Sequence, residues 1–182
     1  MKKWILSLGF IWFLISNSYG LSIGEIYLFK GSAKEILLSF NLKEFPIQEV
    51  ILSLKRQKEE VLLLCEVEIY RERFFLRDEL VQKYVFFKKG GYKPEINKYY
   101  LEDGKSFVYF DHPEELSKFL IEFQSLDLSI PSLENKNDYY LLIKVQLSFY
   151  THLDSNLRYT SKVRQVFYKT EKKYDFSKSI LY

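Results

Sequence analysis

The chain has 182 residues, of which 47% are hydrophobic, 28% charged and 18% aromatic. That length fits one domain able to bury a core without disulfides or metals, and the charged fraction excludes a chain living wholly in lipid. A formal charge of +3, one cysteine and two histidines argue against a nucleic-acid binder, a disulfide scaffold and a histidine-built metal centre.

The first twenty residues differ in kind from the rest. Met1-Lys2-Lys3 is a positive start, residues 4–16 (WILSLGFIWFLIS) are an apolar run, and Asn17-Ser18-Tyr19-Gly20 is a polar end with small residues at Ser18 and Gly20. This order predicts a signal peptide over residues 1–20, cleaved after Gly20, and hence export to the periplasm or cell envelope. The alternative is an uncleaved anchor helix, for which the run is short of the roughly 20 residues a span needs. No cysteine stands at the cleavage point to carry a lipid anchor. Cleavage removes Lys2 and Lys3 and no acid, so the charge falls from +3 to +1, with 25 basic residues against 24 acidic. A nearly neutral domain over residues 21–182 lacks the basic field that nucleic acid requires, and no integral span is expected in it.

Residues 23–30 (IGEIYLFK) and 35–42 (EILLSFNL) read as two strands across a break at Gly31-Ser32. In the second, Ile36, Leu38, Phe40 and Leu42 share one face. Past Pro46, Ile47, Val50, Ile51 and Leu54 recur at helical spacing, so a short helix begins there and ends in the charged run 55–60. Residues 61–87 (VLLLCEVEIYRERFFLRDELVQKYVFF) predict one long strand at the centre of the sheet. Leu63, Cys65, Val67 and Ile69 form its apolar face, opposed by Glu66, Glu68, Tyr70 and Glu72. Its charged middle, from Arg71 to Glu79, demands a bend or bulge before the alternation resumes at Leu80.

Lys88-Lys89-Gly90-Gly91 reads as a turn, residues 92–101 (YKPEINKYYL) as a strand, Asp103-Gly104 as a tight turn and residues 106–110 as its return. Asp111-His112-Pro113-Glu114-Glu115 starts a second helix, with Leu116, Phe119, Leu120 and Phe123 as its apolar stripe. Residues 126–131 lead out to a polar turn at 135–138. Tyr139, Leu141, Ile143, Val145, Leu147 and Phe149 then mark the clearest alternating strand, and residues 163–169 the last one. Together these predict a mainly β (α+β) fold, an antiparallel β-sandwich or curved sheet of about seven to nine strands with two short helices.

Chemistry is sparse. There is no nucleophile elbow and no phosphate-cradling glycine loop, so no enzyme activity, catalytic residue or cofactor is assigned. His152 beside Asp154 is the one local metal candidate and falls short of a ligand set, so no metal is assigned. His112 suits a capping or surface role, and Cys65 lies on a core face. Glu66, Glu68 and Glu72 share a strand face near Arg71, Arg73 and Arg77; cross-strand charge pairing explains both sets without catalysis. The tail alternates Tyr174, Phe176, Ile180 and Tyr182 as outer-membrane barrel strands do, but Lys178 interrupts it and two amphipathic helices do not suit a small barrel.

In the order of its elements the chain resembles an uncharacterised family of small exported bacterial proteins. The likeness is carried by the leader, the paired first strands, the helix at Pro46, EIYRERFFLRDE (68–79), INKYYL (96–101), the helix from Pro113 and NDYYLLIKVQL (137–147). That family's pattern has tryptophan near the positions of Phe74-Phe75 and Phe176. The resemblance implies export and supplies no catalytic residue. The expected function is a non-enzymatic envelope module binding another envelope protein, through strand-face tyrosines such as Tyr70, Tyr140 and Tyr150. Within it, the bend bearing Tyr70, Arg71, Arg73 and Arg77 is the candidate interaction surface. The alternative is a small apolar ligand or lipid, held between the curved sheet and the helices at Pro46 and Pro113.

Overall fold

The computed structural model describes residues 20–30, 35–57, 59–129, 138–151 and 162–175. The leader, the His152–Asp154 pair and the tail beyond Asp175 lie outside them. Among the described residues nine strands form two antiparallel sheets, accompanied by two α-helices. β1 (Ser22–Lys30), β2 (Glu35–Lys43) and β7 (Glu122–Ser129) make the smaller sheet, in the order β1-β2-β7. The larger runs β6-β5-β4-β3-β8-β9. Its strands are β3 (Glu59–Arg71), β4 (Glu79–Lys93), β5 (Lys98–Glu102), β6 (Phe107–Phe110), β8 (Tyr139–Thr151) and β9 (Lys162–Asp175). This is the mainly β architecture that the alternation predicts.

One apolar core lies between the sheets. Leu63, Cys65, Val67 and Ile69 of β3 and Leu141, Ile143, Val145, Leu147 and Phe149 of β8 face it, all essentially without solvent exposure. Leu38, Phe40, Phe123 and Leu128 close it from the smaller sheet. Phe40 stands opposite Phe123 in the β2–β7 ladder, and their rings stack at 4.8 Å. The larger sheet overhangs the smaller one, and the helices cover the overhang. α1 (Ile47–Lys55) buries Val50, Ile51 and Leu54 against β3, and α2 (Pro113–Leu120) lies on β4, β5 and β6. Burial pushes the Cys65 thiol up to about 12, which leaves it a small inert core group.

Five expectations are corrected. Residues 61–87 are not one bent strand but two, β3 and β4, paired antiparallel from Val61↔Gly90 to Arg71↔Glu79. The Lys88–Gly91 turn does not exist: both glycines lie inside β4, and the chain turns later, at a 3-10 turn (Pro94–Ile96) that splits the expected strand 92–101. Helix α2 stops at Leu120, so Phe123 sits in strand β7, and Phe119 is 54% exposed instead of completing a buried stripe. Residues 126–129 are likewise β7, held by pairing with the distant β2. Finally, Tyr140 is buried where an exposed tyrosine was expected, because Tyr70 stacks on it.

The glycines of β4 serve close approach. A Cβ on Gly90 would lie 3.0 Å from Leu116 of α2, and one on Gly91 would lie 2.8 Å from the Tyr100 ring, which covers it from β5. That ring also stacks on Phe107 at 5.0 Å. Gly91→Ala is therefore expected to lower the free energy of unfolding by about 1–3 kcal/mol, as overpacking does. Urea denaturation checks it, and unchanged stability would show that Tyr100 does not rest on that backbone.

Candidate functional site

The β3–β4 connection, residues 72–78, carries the most exposed apolar groups among the described residues. Phe74 is 94% exposed, Phe75 90% and Leu76 69%. The two rings touch only edge-to-face, with centroids 4.7 Å apart. Behind them the chain is braced. The Arg73 carbonyl accepts the Leu76 N–H at 3.4 Å, closing the turn, and Asp78 accepts the Arg73 N–H at 3.3 Å. The Arg73 guanidinium pairs with the Glu79 carboxylate. Glu72 donates its N–H to the Asp138 carbonyl at 2.7 Å and binds Lys173 through its side chain at 2.6 Å.

The hairpin base is aromatic. Tyr70 stacks on Tyr140 with centroids 5.3 Å apart and planes 13° from parallel. The Tyr140 hydroxyl donates to Asp78 at 2.8 Å, and the Lys173 ammonium lies 3.7 Å from the Tyr140 ring centroid. Arg71 stands 5.9 Å from the Tyr139 ring centroid. Burial first, and then the bond to Asp78, push the Tyr140 phenol up to about 12, so it remains a donor throughout the physiological range.

Of the four residues singled out from sequence, Tyr70 and Arg71 thus belong to the braced base, and Arg73 and Arg77 flank the apex. Phe74, Phe75 and Leu76, the apex itself, were not among them. A signal was present: an apolar triplet bracketed by R-E-R and R-D-E between two alternating segments is a hairpin tip. The partners of the sheet-face acids also differ from expectation, being lysines rather than arginines. Glu66 pairs with Lys83 at 3.0 Å, and Glu68 lies between Lys144 at 2.6 Å and Lys83 at 3.5 Å.

A second feature lies at the overhang, where β4–β6, α2 and β7 leave a groove of about 380 Å³. Phe86, Leu101, Val108, Phe110, Phe119 and Leu126 line it, with Lys88 among them. The Lys88 ammonium donates to the carbonyls of Phe119 and Glu122, around the C-terminal end of α2, and lies 4.8 Å from the Phe123 ring centroid. Burial pushes its pKa down to about 8, with Asp103 and Glu122 opposing the shift. Among the described residues no three His, Cys, Asp or Glu side chains are grouped to hold a metal.

Glu68 offers a test of the charged face. It is only 5% exposed, and burial alone would raise its carboxyl; bonds from Lys144 and Tyr70, with Lys83 beside them, outweigh burial and hold it below the usual range. A depressed folded-state value stabilises the protein fully above the unfolded pKa of about 4.3, and the gain is lost as pH falls through the lower folded value. Glu68→Gln is expected to cost about 1–2 kcal/mol at neutral pH, discounted for the exposure of both lysines, and to flatten the acid limb of the stability profile. Urea titrations across pH check this; equal stability of both proteins at neutral pH would contradict it.

No protein-family model, curated protein or solved structure matches this chain.

Proposed function

We propose that this chain is a non-enzymatic binding module, exported to the cell envelope, that docks onto another envelope component through the β3–β4 tip. The observation that carries the reading is the exposure of Phe74 and Phe75 at 94% and 90% on a turn whose base is fixed by ion pairs and stacked tyrosines. Each such side chain gains about 1.5–3 kcal/mol when taken out of water. A fixed base means that little of that gain is spent on ordering the loop at the moment of binding. Export itself rests on the composition of residues 1–20 and on the family resemblance. No catalytic role is proposed for the carboxylates of the sheet face, which are taken up in pairs with lysines.

A photo-crosslinking residue at position 74, in the chain expressed in its own cells, tests this. Adducts with an envelope component are expected from position 74 and not from position 52, an exposed leucine on α1. Absence of adducts from both positions would contradict docking through the tip.

The overhang groove favours a second reading, a binding protein for a small apolar ligand. It lies beside the helix from Pro113, as that alternative expects, and away from the helix at Pro46. Native mass spectrometry of the purified chain is expected to show a bound apolar compound that Val108→Trp excludes. A bare mass throughout would remove this reading.

A further inference from the structure

We infer that the component met by the tip is a bilayer surface bearing anionic headgroups, with Phe74, Phe75 and Leu76 entering the acyl boundary and Arg73 and Arg77 meeting the phosphates. The inference rests on the docking reading and names its occupant.

Size is the first argument. A buried aromatic side chain contributes about 150–250 Å². Two of them and a leucine therefore fall short of the roughly 800 Å² that each partner gives to a standard protein interface. The residues immediately behind the apex are charged, so the apolar surface does not spread into a wider patch. A membrane needs no wider patch, because it closes around whatever enters it.

The order of charges is the second argument. Along the hairpin, the apolar apex comes first, then Arg73 and Arg77 on its two sides, and only then the acids Glu72, Asp78 and Glu79. Those acids are already occupied: Glu72 by Lys173, Asp78 by the Tyr140 hydroxyl, and Glu79 by Arg73. One carboxylate uses only part of the five-donor fork of Arg73, and Arg77 is exposed. Apolar tip, arginine collar and partnered acids follow one another as acyl chains, phosphates and water do across a bilayer surface. Arginine stems can lie along the apolar layer while their guanidinium groups reach phosphate oxygens. No helix among the described residues is long and apolar enough to cross a membrane.

The chain supplies its own reporter. Both tryptophans, Trp4 and Trp12, precede Leu21, and the buried cluster begins at Leu21. The chain from Leu21 therefore keeps the whole described core and contains no indole, so Phe74→Trp places a single one at the apex. With phosphatidylglycerol-containing vesicles its emission is expected to shift to the blue, with binding at least about tenfold tighter than to phosphatidylcholine vesicles. Added salt and Arg73→Gln with Arg77→Gln should each remove most of that preference. Phe74→Ser with Phe75→Ser should abolish co-sedimentation with vesicles while circular dichroism and Tm stay unchanged. Absence of a shift and of co-sedimentation with phosphatidylglycerol vesicles would overturn the inference, as would equal binding to both vesicle types. In that case protein adducts from the crosslinker at position 74 would leave docking standing with a protein occupant. No adducts would bring down docking as well.

Discussion

The double pairing of β3 is the constraint on which the rest of the structure depends. It is bonded to β4 on one side and β8 on the other along nearly its whole length. Its alternation leaves no freedom of register. A slip by one residue would carry Leu63, Cys65, Val67 and Ile69 out of the core and bring Leu64, Glu66, Glu68 and Tyr70 into it. The outer face adds a second lock, since Glu68 meets Lys83 from β4 and Lys144 from β8 at once. With β3 so placed, the β4 register fixes where the hairpin tip projects, and the β8 register sets Tyr140 beneath Tyr70.

Period-two alternation made the faces of β3 and β8 legible in the sequence, and each apolar position named on them is buried. Helical spacing located α1 through Val50, Ile51 and Leu54, but Ile47, the first residue of the expected stripe, is exposed. What escaped were features set by contacts distant in sequence. The 72–78 turn contains no glycine, proline or asparagine, so no turn-forming residue marks it as a reversal, and only the charged bracket around its apolar triplet does. Gly90 and Gly91 carry the signal of a turn but serve packing under Leu116 and Tyr100. Phe123 happens to fall at helical spacing from Leu116 and Leu120, but its place is decided by Phe40 across the β2–β7 ladder.

The site was half legible for a similar reason. Tyr70, Arg71, Arg73 and Arg77 stand out as a crowded segment, whereas Phe74, Phe75 and Leu76 look like ordinary core residues until the chain is seen to reverse between them. Reversal at that point leaves them with nothing to pack on. The result is a division of roles within ten residues. Stacked tyrosines and ion pairs hold the base, and the apolar apex stands clear of the sheet it grows from.

A rigid sheet carrying a free apolar tip has a direct signature in amide hydrogen exchange measured residue by residue on the unbound protein. The account predicts that amides of residues 61–69 exchange only through global unfolding, while those of Phe74, Phe75 and Arg77 exchange at rates near those of an open chain. Protection at the tip approaching that of β3 would mean that the apex is packed away in the free protein, and would contradict the account.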